Sequence, residues 1–329
     1  MTRKLRWGIL GVAGIAVRKV IPAMQRCELC EITTIASRDA NKAAEAANKL
    51  GIASYYGSYE ALLDDPDIDV IYNPLPNHLH VPWSIRALEA GKHVLCEKPL
   101  GRSTGEVRQL IEARDRSGRQ AGEAFMVRTH PQWLRVKEII DSGEIGPLRS
   151  VVAWFSYNNR DPQNVRNIAG YGGGGLMDIG CYPIFIARFL FGEEPRRVTG
   201  AMELDPQFGT DRLSSAVLEF PSGHCAFTCS TQMAYAQRVI AIGEKARIEI
   251  EIPFNAPPDR GCRIFIDSGA DLFGGSRREE VLPICDQYTV QGDEFSRAVL
   301  GQRPVPVPLE DSLLTMAVIE AIRIAAPAG

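Results

Sequence analysis

Residues 5–16 read LRWGILGVAGIA, a short apolar run broken by glycines at 8, 11 and 14. The run is too brief for an independent helix and suits a buried strand. The next stretch, AVRKVIPAMQRC at 16–27, reads as a helix opened by a glycine-rich turn. A strand that turns through glycines directly into a helix is the opening unit of a dinucleotide-binding fold. There the missing side chains permit a tight turn and let a pyrophosphate approach the helix N-terminus. Spaced as G-x-G-x-x-G, the positions fall on Gly11, Ala13 and Ala16, so the second and third glycines are alanines. That motif alone is weak, and its strand-before, helix-after context is what supports it. The expected cofactor contacts here are Gly11, Ala13, Gly14, Ile15 and Ala16.

Outward from this turn, apolar runs and helical stretches alternate. The strand-like segments are CEITTIASR (30–38), IDVIYNPLP (68–76), HVLCEKPLG (93–101) and RQAGEAFMVR (119–128). Between them lie helix patterns at 41–51, with Gly51 as a stop, and at 59–66, 80–92 and 103–118. Such alternation implies a parallel sheet with helices on both faces. Past residue 130 a helix (133–146) leads into alternating segments, beginning with LRSVVAWFSYNN at 148–159 and recurring between 196 and 267. These suit an antiparallel sheet with one covered face. Helix patterns at 286–301 and 309–325 close the chain. The expected fold class is α/β, with a Rossmann doubly wound parallel sheet in residues 1–127. An α+β domain with an open-faced, mostly antiparallel sheet is expected in 128–329.

The length of 329 residues suits about two domains. With 37 basic and 40 acidic residues, the net charge of −3 offers no excess for counterion release on nucleic acid. No uncharged apolar run approaches the roughly 18 residues of a membrane helix. The N-terminal apolar run is broken by glycines and soon meets Arg18 and Lys19, unlike a secretory signal, so a cytoplasmic location is expected. Neither a nucleic-acid partner nor a membrane is therefore expected. Among eight cysteines, Cys27 and Cys30 form a lone C-x-x-C. Without a second pair it suggests ordinary reduced thiols and no metal.

The end of the second strand should show which dinucleotide binds, because an acidic residue there holds the ribose 2′-hydroxyl of NAD. Here Ser37 occupies that place, Arg38 offers a fork suited to a 2′-phosphate, and Lys42 adds charge. NADP is therefore favoured over NAD, with Asp39 the dissenting residue unless it caps the next helix. Glu97-Lys98-Pro99 lies at the C-terminal end of a parallel strand, where open α/β sheets bind their ligands. In GYGGGGLMDIGCY (170–182), Asp178 and Tyr182 share one face if the segment is helical.

These residues carry a resemblance. GILGVAGIA, IASRD, YNPLPNHLH, AGKHVLCEKP and GGGLMDIGCY occur in order along nearly the whole chain. Together they resemble the glucose–fructose oxidoreductase/inositol dehydrogenase family of NAD(P)-dependent enzymes. The resemblance implies an active site between the two domains, with Lys98, Asp178 and Tyr182 as the catalytic set. Tyr182, where another branch has histidine, places the chain near dimeric dihydrodiol dehydrogenase and NADP-dependent aldose dehydrogenases. Pro74, Asn77, His80 and Glu97 become expected cofactor neighbours beside Lys98, with His78 in the same loop. Arg128, His130, Tyr157 and Asn158 are expected substrate-side candidates.

The implied activity is hydride transfer between nicotinamide and a sugar or polyol, first of all as an aldose (xylose- or glucose-type) 1-dehydrogenase. Alternatives within the class are a trans-dihydrodiol dehydrogenase and a 1,5-anhydrofructose or other keto-sugar reductase. From another class comes a catalytically silent NADP-binding sensor. The expected partners are a carbohydrate-like small molecule and copies of the chain itself, as a homodimer or homotetramer. The chemistry fits independently of the resemblance. Alcohol oxidation sends a hydride to the nicotinamide and needs a base for the hydroxyl proton. A tyrosine, with an ordinary pKa near 10, needs a neighbouring ammonium to serve near neutrality.

Overall fold

A computed structural model of the chain describes residues 3–271 and 273–326. Its first strand, β1 (Leu5–Leu10), is buried along most of its length, with Trp7, Ile9 and Leu10 fully covered. It pairs in parallel with β2 (Cys30–Ala36) on one side and β4 (Val70–Asn73) on the other. Adding β3 (Ser54–Tyr56), β5 (His93–Cys96) and β6 (Ala121–Glu123) completes an all-parallel six-stranded sheet of order β3-β2-β1-β4-β5-β6. The order reverses at β1/β4, the switch point where such sheets bind ligands beyond the strands' carboxyl ends.

The connecting helices carry the local signals that produce them. A π-helical turn, Ala16–Val20, leads into α1 (Ile21–Met24). Asp39 caps α2 (Ala40–Leu50), accepting from the amides of Asn41 and Lys42, and Gly51 ends it at φ 65°. Ser58 caps α3 (Tyr59–Leu63), and α4 (Asn77–Glu89) comes after β4. Ser103 caps α5 (Thr104–Ser117) by accepting from the Glu106 amide, and Gly118 closes it. Each such cap contributes about 1 kcal/mol.

The second sheet has eight strands in the order β14-β13-β12-β11-β7-β10-β9-β8. They are β7 (Leu148–Asn158), β8 (Arg197–Leu204), β9 (Asp211–Glu219), β10 (His224–Ser230), β11 (Gln232–Gly243), β12 (Arg247–Ile250), β13 (Arg263–Asp267) and β14 (Arg277–Val281). All neighbours are antiparallel except β7 and β10, which run parallel. Two helices, α6 (Pro131–Asp141) and the almost wholly buried α7 (Cys181–Phe191), belong to this half. The helical stretch Ala169–Phe191 is long and apolar enough by composition to cross a membrane, although Asp178 and Arg188 interrupt it. Its most apolar 18-residue window is 89% buried inside the protein, as a core helix is.

The chain forms two compact units, Met1–Thr129 with Asp286–Leu313, and His130–Cys285 with Leu314–Gly329. The first unit thus recovers a late segment that a division at residue 127 assigns to the second. This segment includes α8 (Gln287–Val299) and the start of α9 (Leu309–Ala325). Its attachment is specific. Thr289 donates to the Ala23 carbonyl, and Asp293 accepts from the amides of Glu28 and Leu29. Two edge strands escaped the sequence pattern: β3 has only three residues, and β14 reads RREEV with no apolar alternation. The strand expected over 119–128 stops at Glu123, and Met126–Thr129 is a 3-10 turn.

Candidate active site

In the first unit the glycine turn bends where the sequence places it. Gly11 has φ 82°, and a Cβ there would come within 2.9 Å of the Leu75 side chain. Gly11 is the position where glycine is indispensable, whereas Ala13 and Ala16 sit where a side chain is accommodated. Gly14 and Ile15 lie in the first helical turn. At the end of β2, Ser37 is buried and its hydroxyl accepts from the Asp39 amide. Arg38 and Lys42 are exposed. Asp39 commits its carboxylate to capping α2, which accounts for the one acidic residue in this stretch.

Asn73, fully buried at the end of β4, organises the next turn. Its side chain donates to the His80 carbonyl and the Ser84 hydroxyl and accepts from the Leu75 amide. Pro74 is buried within this turn, and Asn77 and His78 are on the first turn of α4 rather than in a loop. Burial and the nearby Arg102 and Arg38 lower the His78 pKa. His80 is a different case from the cofactor contact expected of it. Its ring is buried, with Nδ1 2.8 Å from the Pro99 carbonyl and Nε2 2.6 Å from the Leu75 carbonyl. Both nitrogens face backbone carbonyls, and because burial pushes the pKa down to about 4, the neutral ring donates to one of the two. The ring is packed between two loops, with both nitrogens turned to backbone.

Lys98 comes after β5 in a turn held from several sides. Glu97 accepts from the Tyr72 hydroxyl at 2.5 Å and from the Lys98 amide at 3.3 Å. On the far side Glu123, buried at the end of β6, accepts from the Leu100 amide at 2.7 Å. Burial raises the Glu123 pKa to about 7, while the Ser312 hydroxyl, the Leu100 amide and the Lys98 charge pull it down. The sequence pattern gives no sign of Glu123, since a lone carboxylate after a short strand matches no motif. Arg128 lies in the 3-10 turn, where burial lowers its pKa.

In the second unit Asp178 lies in a π-helical turn, Leu176–Gly180, that runs into α7. Its Oδ2 accepts from the Tyr157 hydroxyl at 2.6 Å and pairs with Arg166 Nε at 2.9 Å. The Asp178 charge raises the Arg166 pKa, and burial together with that charge raises that of Tyr157. Tyr157 is thus a proton donor to Asp178 and a poor base. Arg166 was not among the sequence candidates, because an arginine twelve positions before its partner in an irregular segment matches no local template. Tyr182 is 5% exposed, with its ring centroid 5.7 Å from Phe155 and 5.3 Å from Phe254. This aromatic packing fixes the direction of the phenol.

The glycines before Asp178 serve this packing. A Cβ on Gly173 would lie 2.4 Å from the Arg166 carbonyl oxygen, and one on Gly174 2.0 Å from an Asp211 carboxylate oxygen. Asp211 in turn accepts from the Leu176 amide at 2.6 Å. The close approach they permit is therefore to the protein's own backbone and carboxylate. Two substrate-side candidates fall outside this cluster. Asn158 is exposed and alternates onto the sheet face opposite Tyr157. His130 caps α6, accepting from the Gln132 amide, and burial takes its pKa to about 4.

A parallel sheet with a glycine turn at its switch point, joined in one chain to a mostly antiparallel sheet unit bearing an Asp–Tyr pair, defines a class of nucleotide-dependent oxidoreductases. Family models agree with both halves: an oxidoreductase family with an NAD-binding Rossmann fold matches residues 5–125, and the GFO/IDH/MocA C-terminal domain matches 133–249. The chain belongs to this GFO/IDH/MocA oxidoreductase family. It is 37% identical to D-xylose 1-dehydrogenase (NADP(+)) 2 of Haloferax volcanii, over 99% of this chain and 98% of that one. A 3-ketoreductase from Actinomadura kijaniata, solved with NADP and TDP-benzene, superposes with TM-score 0.91 at 32% identity, covering 98% of each chain. The aldose-aldose oxidoreductase of Caulobacter crescentus, complexed with glycerol, gives TM-score 0.90 at 30% identity and the same 98% coverage of both.

Proposed function

We propose that the chain is an NADP-dependent sugar dehydrogenase that oxidises an aldose at its anomeric carbon. NADP, when bound, accepts the hydride, and the protein must bind and orient the reactants and move one proton. Gly11, Ala13, Gly14, Ile15 and Ala16 would bear on the pyrophosphate, with Ser37, Arg38 and Lys42 on the 2′-phosphate. Pro74, Asn77 and Glu97 would border the nicotinamide side. Tyr182 exchanges the substrate hydroxyl proton, and Lys98 supplies positive charge that favours the phenolate. Asp178 and Tyr157 orient the sugar hydroxyls, with Arg128 as a further substrate contact.

The observation that carries this reading is the hydrogen-bonded order around Asp178. A carboxylate paired with Arg166, bonded to Tyr157 and one helical turn from a packed Tyr182 is set up to handle hydroxyl groups. The full-length likeness to the Haloferax xylose dehydrogenase supports the aldose assignment. A keto-sugar reductase is the second reading, favoured by the 3-ketoreductase likeness. We further infer a homodimer or homotetramer built on the second sheet, whose outer face exposes Trp154 and Val217.

The test is NADPH absorbance against aldoses, polyols, dihydrodiols and keto-sugars. Turnover confined to keto-sugars moves the assignment to the reductase. No turnover with tight NADP(H) binding points to the silent sensor.

A further inference from the structure

Cys27 and Cys30, the C-x-x-C without a second pair, meet their third partner in Asp293 of α8. One donor atom from each of the three lies within 4.8 Å of the other two. Both cysteines are buried, at 2% and 1% exposure, and Asp293 is half-buried. The carboxylate is held in place, with Oδ1 accepting from the Leu29 amide at 2.8 Å and Oδ2 from the Glu28 amide at 3.2 Å. Cys27 Sγ donates to the Thr289 carbonyl at 3.1 Å, and Cys30 Sγ lies 3.3 Å from the Ser296 hydroxyl.

Gly292 supplies the room. It sits inside α8, where glycine costs about 1 kcal/mol relative to alanine. A Cβ at this position would stand 3.0 Å from Cys27 Sγ and 3.1 Å from Cys30 Sγ. The two sulfurs can sit this close to the α8 backbone because this residue has no side chain.

We propose that Cys27, Cys30 and Asp293 form a binding site for a thiophilic divalent cation of the zinc type, which pins α8 to the entry of β2. Two sulfurs and one carboxylate oxygen make a donor set that zinc accepts in tetrahedral geometry, with water or the Thr289 carbonyl as the fourth ligand. Loading breaks two S–H bonds, forms two metal–sulfur bonds and releases two protons, with no change of oxidation state. The Asp293 amide contacts act as the outer hydrogen bonds that orient a ligating carboxylate. The ion would join residues far apart in sequence, so its binding energy adds to the docking of the late segment.

The test uses the full-length reduced protein, stripped with chelator and titrated with cobalt(II). A thiolate-to-cobalt charge-transfer band saturating at one ion per chain, two protons released per ion, and displacement by zinc are expected. Gly292→Ala retains all three donors but sets a methyl against both sulfurs and displaces them, so the band should fall at least tenfold. Cys27→Ser with Cys30→Ser should abolish it and remove the zinc-induced rise in Tm. Circular dichroism checks the fold of each variant. A reduced wild type without the band overturns the site, as does a band of equal strength in the double variant.

Discussion

Arg166 Nε stands 2.9 Å from Oδ2 of Asp178, the same oxygen that receives the Tyr157 hydroxyl at 2.6 Å. Two donors on one carboxylate oxygen fix the orientation of the whole group. Arg166 keeps 42% of its side chain exposed, so the pair is screened and its value lies in placement more than in stability. Arg166→Ala should therefore lower kcat by about 10- to 100-fold while leaving NADPH affinity unchanged. Arg166→Lys should recover only part, because an ammonium lacks the planar fork. Steady-state kinetics with a fluorescence titration of NADPH separates these effects. An Arg166→Ala enzyme with wild-type kcat would remove Asp178 placement from the mechanism.

The two tyrosines near Asp178 should behave differently. Tyr182→Phe removes the proposed proton carrier, and a loss of about 10²- to 10⁴-fold in kcat is expected. Lys98→Met should cost a comparable factor. Tyr157→Phe removes one hydrogen bond to Asp178 and should cost about tenfold or less. Isothermal binding of NADP(H) should change little in the Tyr182 and Tyr157 variants. Equal losses for Tyr157→Phe and Tyr182→Phe would contradict the assignment of the proton to Tyr182.

Much of the fold was legible in the sequence where a local pattern carries the information. The strand at 5–10, the glycine at 11 and the stop at Gly51 each result from the backbone geometry a residue type permits. Asp39 was readable as either a ribose ligand or a cap, and the amides of Asn41 and Lys42 decide for the cap. The missed features depend on distant partners. Arg166 gains meaning only from Asp178, Glu123 only from Leu100, and Asp293 only from Glu28 and Leu29. His80 illustrates the reverse: a histidine beside a cofactor loop reads as functional in the sequence, whereas its buried ring faces backbone carbonyls of two turns, which only the fold brings together.

Arg38 should decide the cofactor. With Asp39 engaged at the helix end, the exposed guanidinium of Arg38 is the group suited to a 2′-phosphate. Losing a charge-assisted hydrogen bond costs about 1.5–3 kcal/mol, so Arg38→Ala should weaken NADP binding by about 10- to 100-fold. NAD affinity should move by less than a factor of about three. Measured dissociation constants for both dinucleotides give the ratio directly, and a parallel loss for NAD would show that Arg38 does not read the phosphate.

Glu123 should shape stability independently of catalysis. Its folded pKa of about 7 stands above the ordinary 4.5 because burial disfavours the charged form. Between those values the folded protein holds a proton that the unfolded chain has released. Stability therefore falls as pH rises through this window, by about 3 kcal/mol in all, and levels off above it. Glu123→Gln cannot ionise, yet its amide oxygen can still accept from the Leu100 amide. The variant should match wild type near pH 4.5 and exceed it by about 3 kcal/mol at pH 8. Denaturant unfolding of both chains across this range cancels every other titrating group in the difference. Parallel stability curves would mean that Glu123 carries no proton in the folded state and that the turn bearing Lys98 rests against a permanently charged carboxylate.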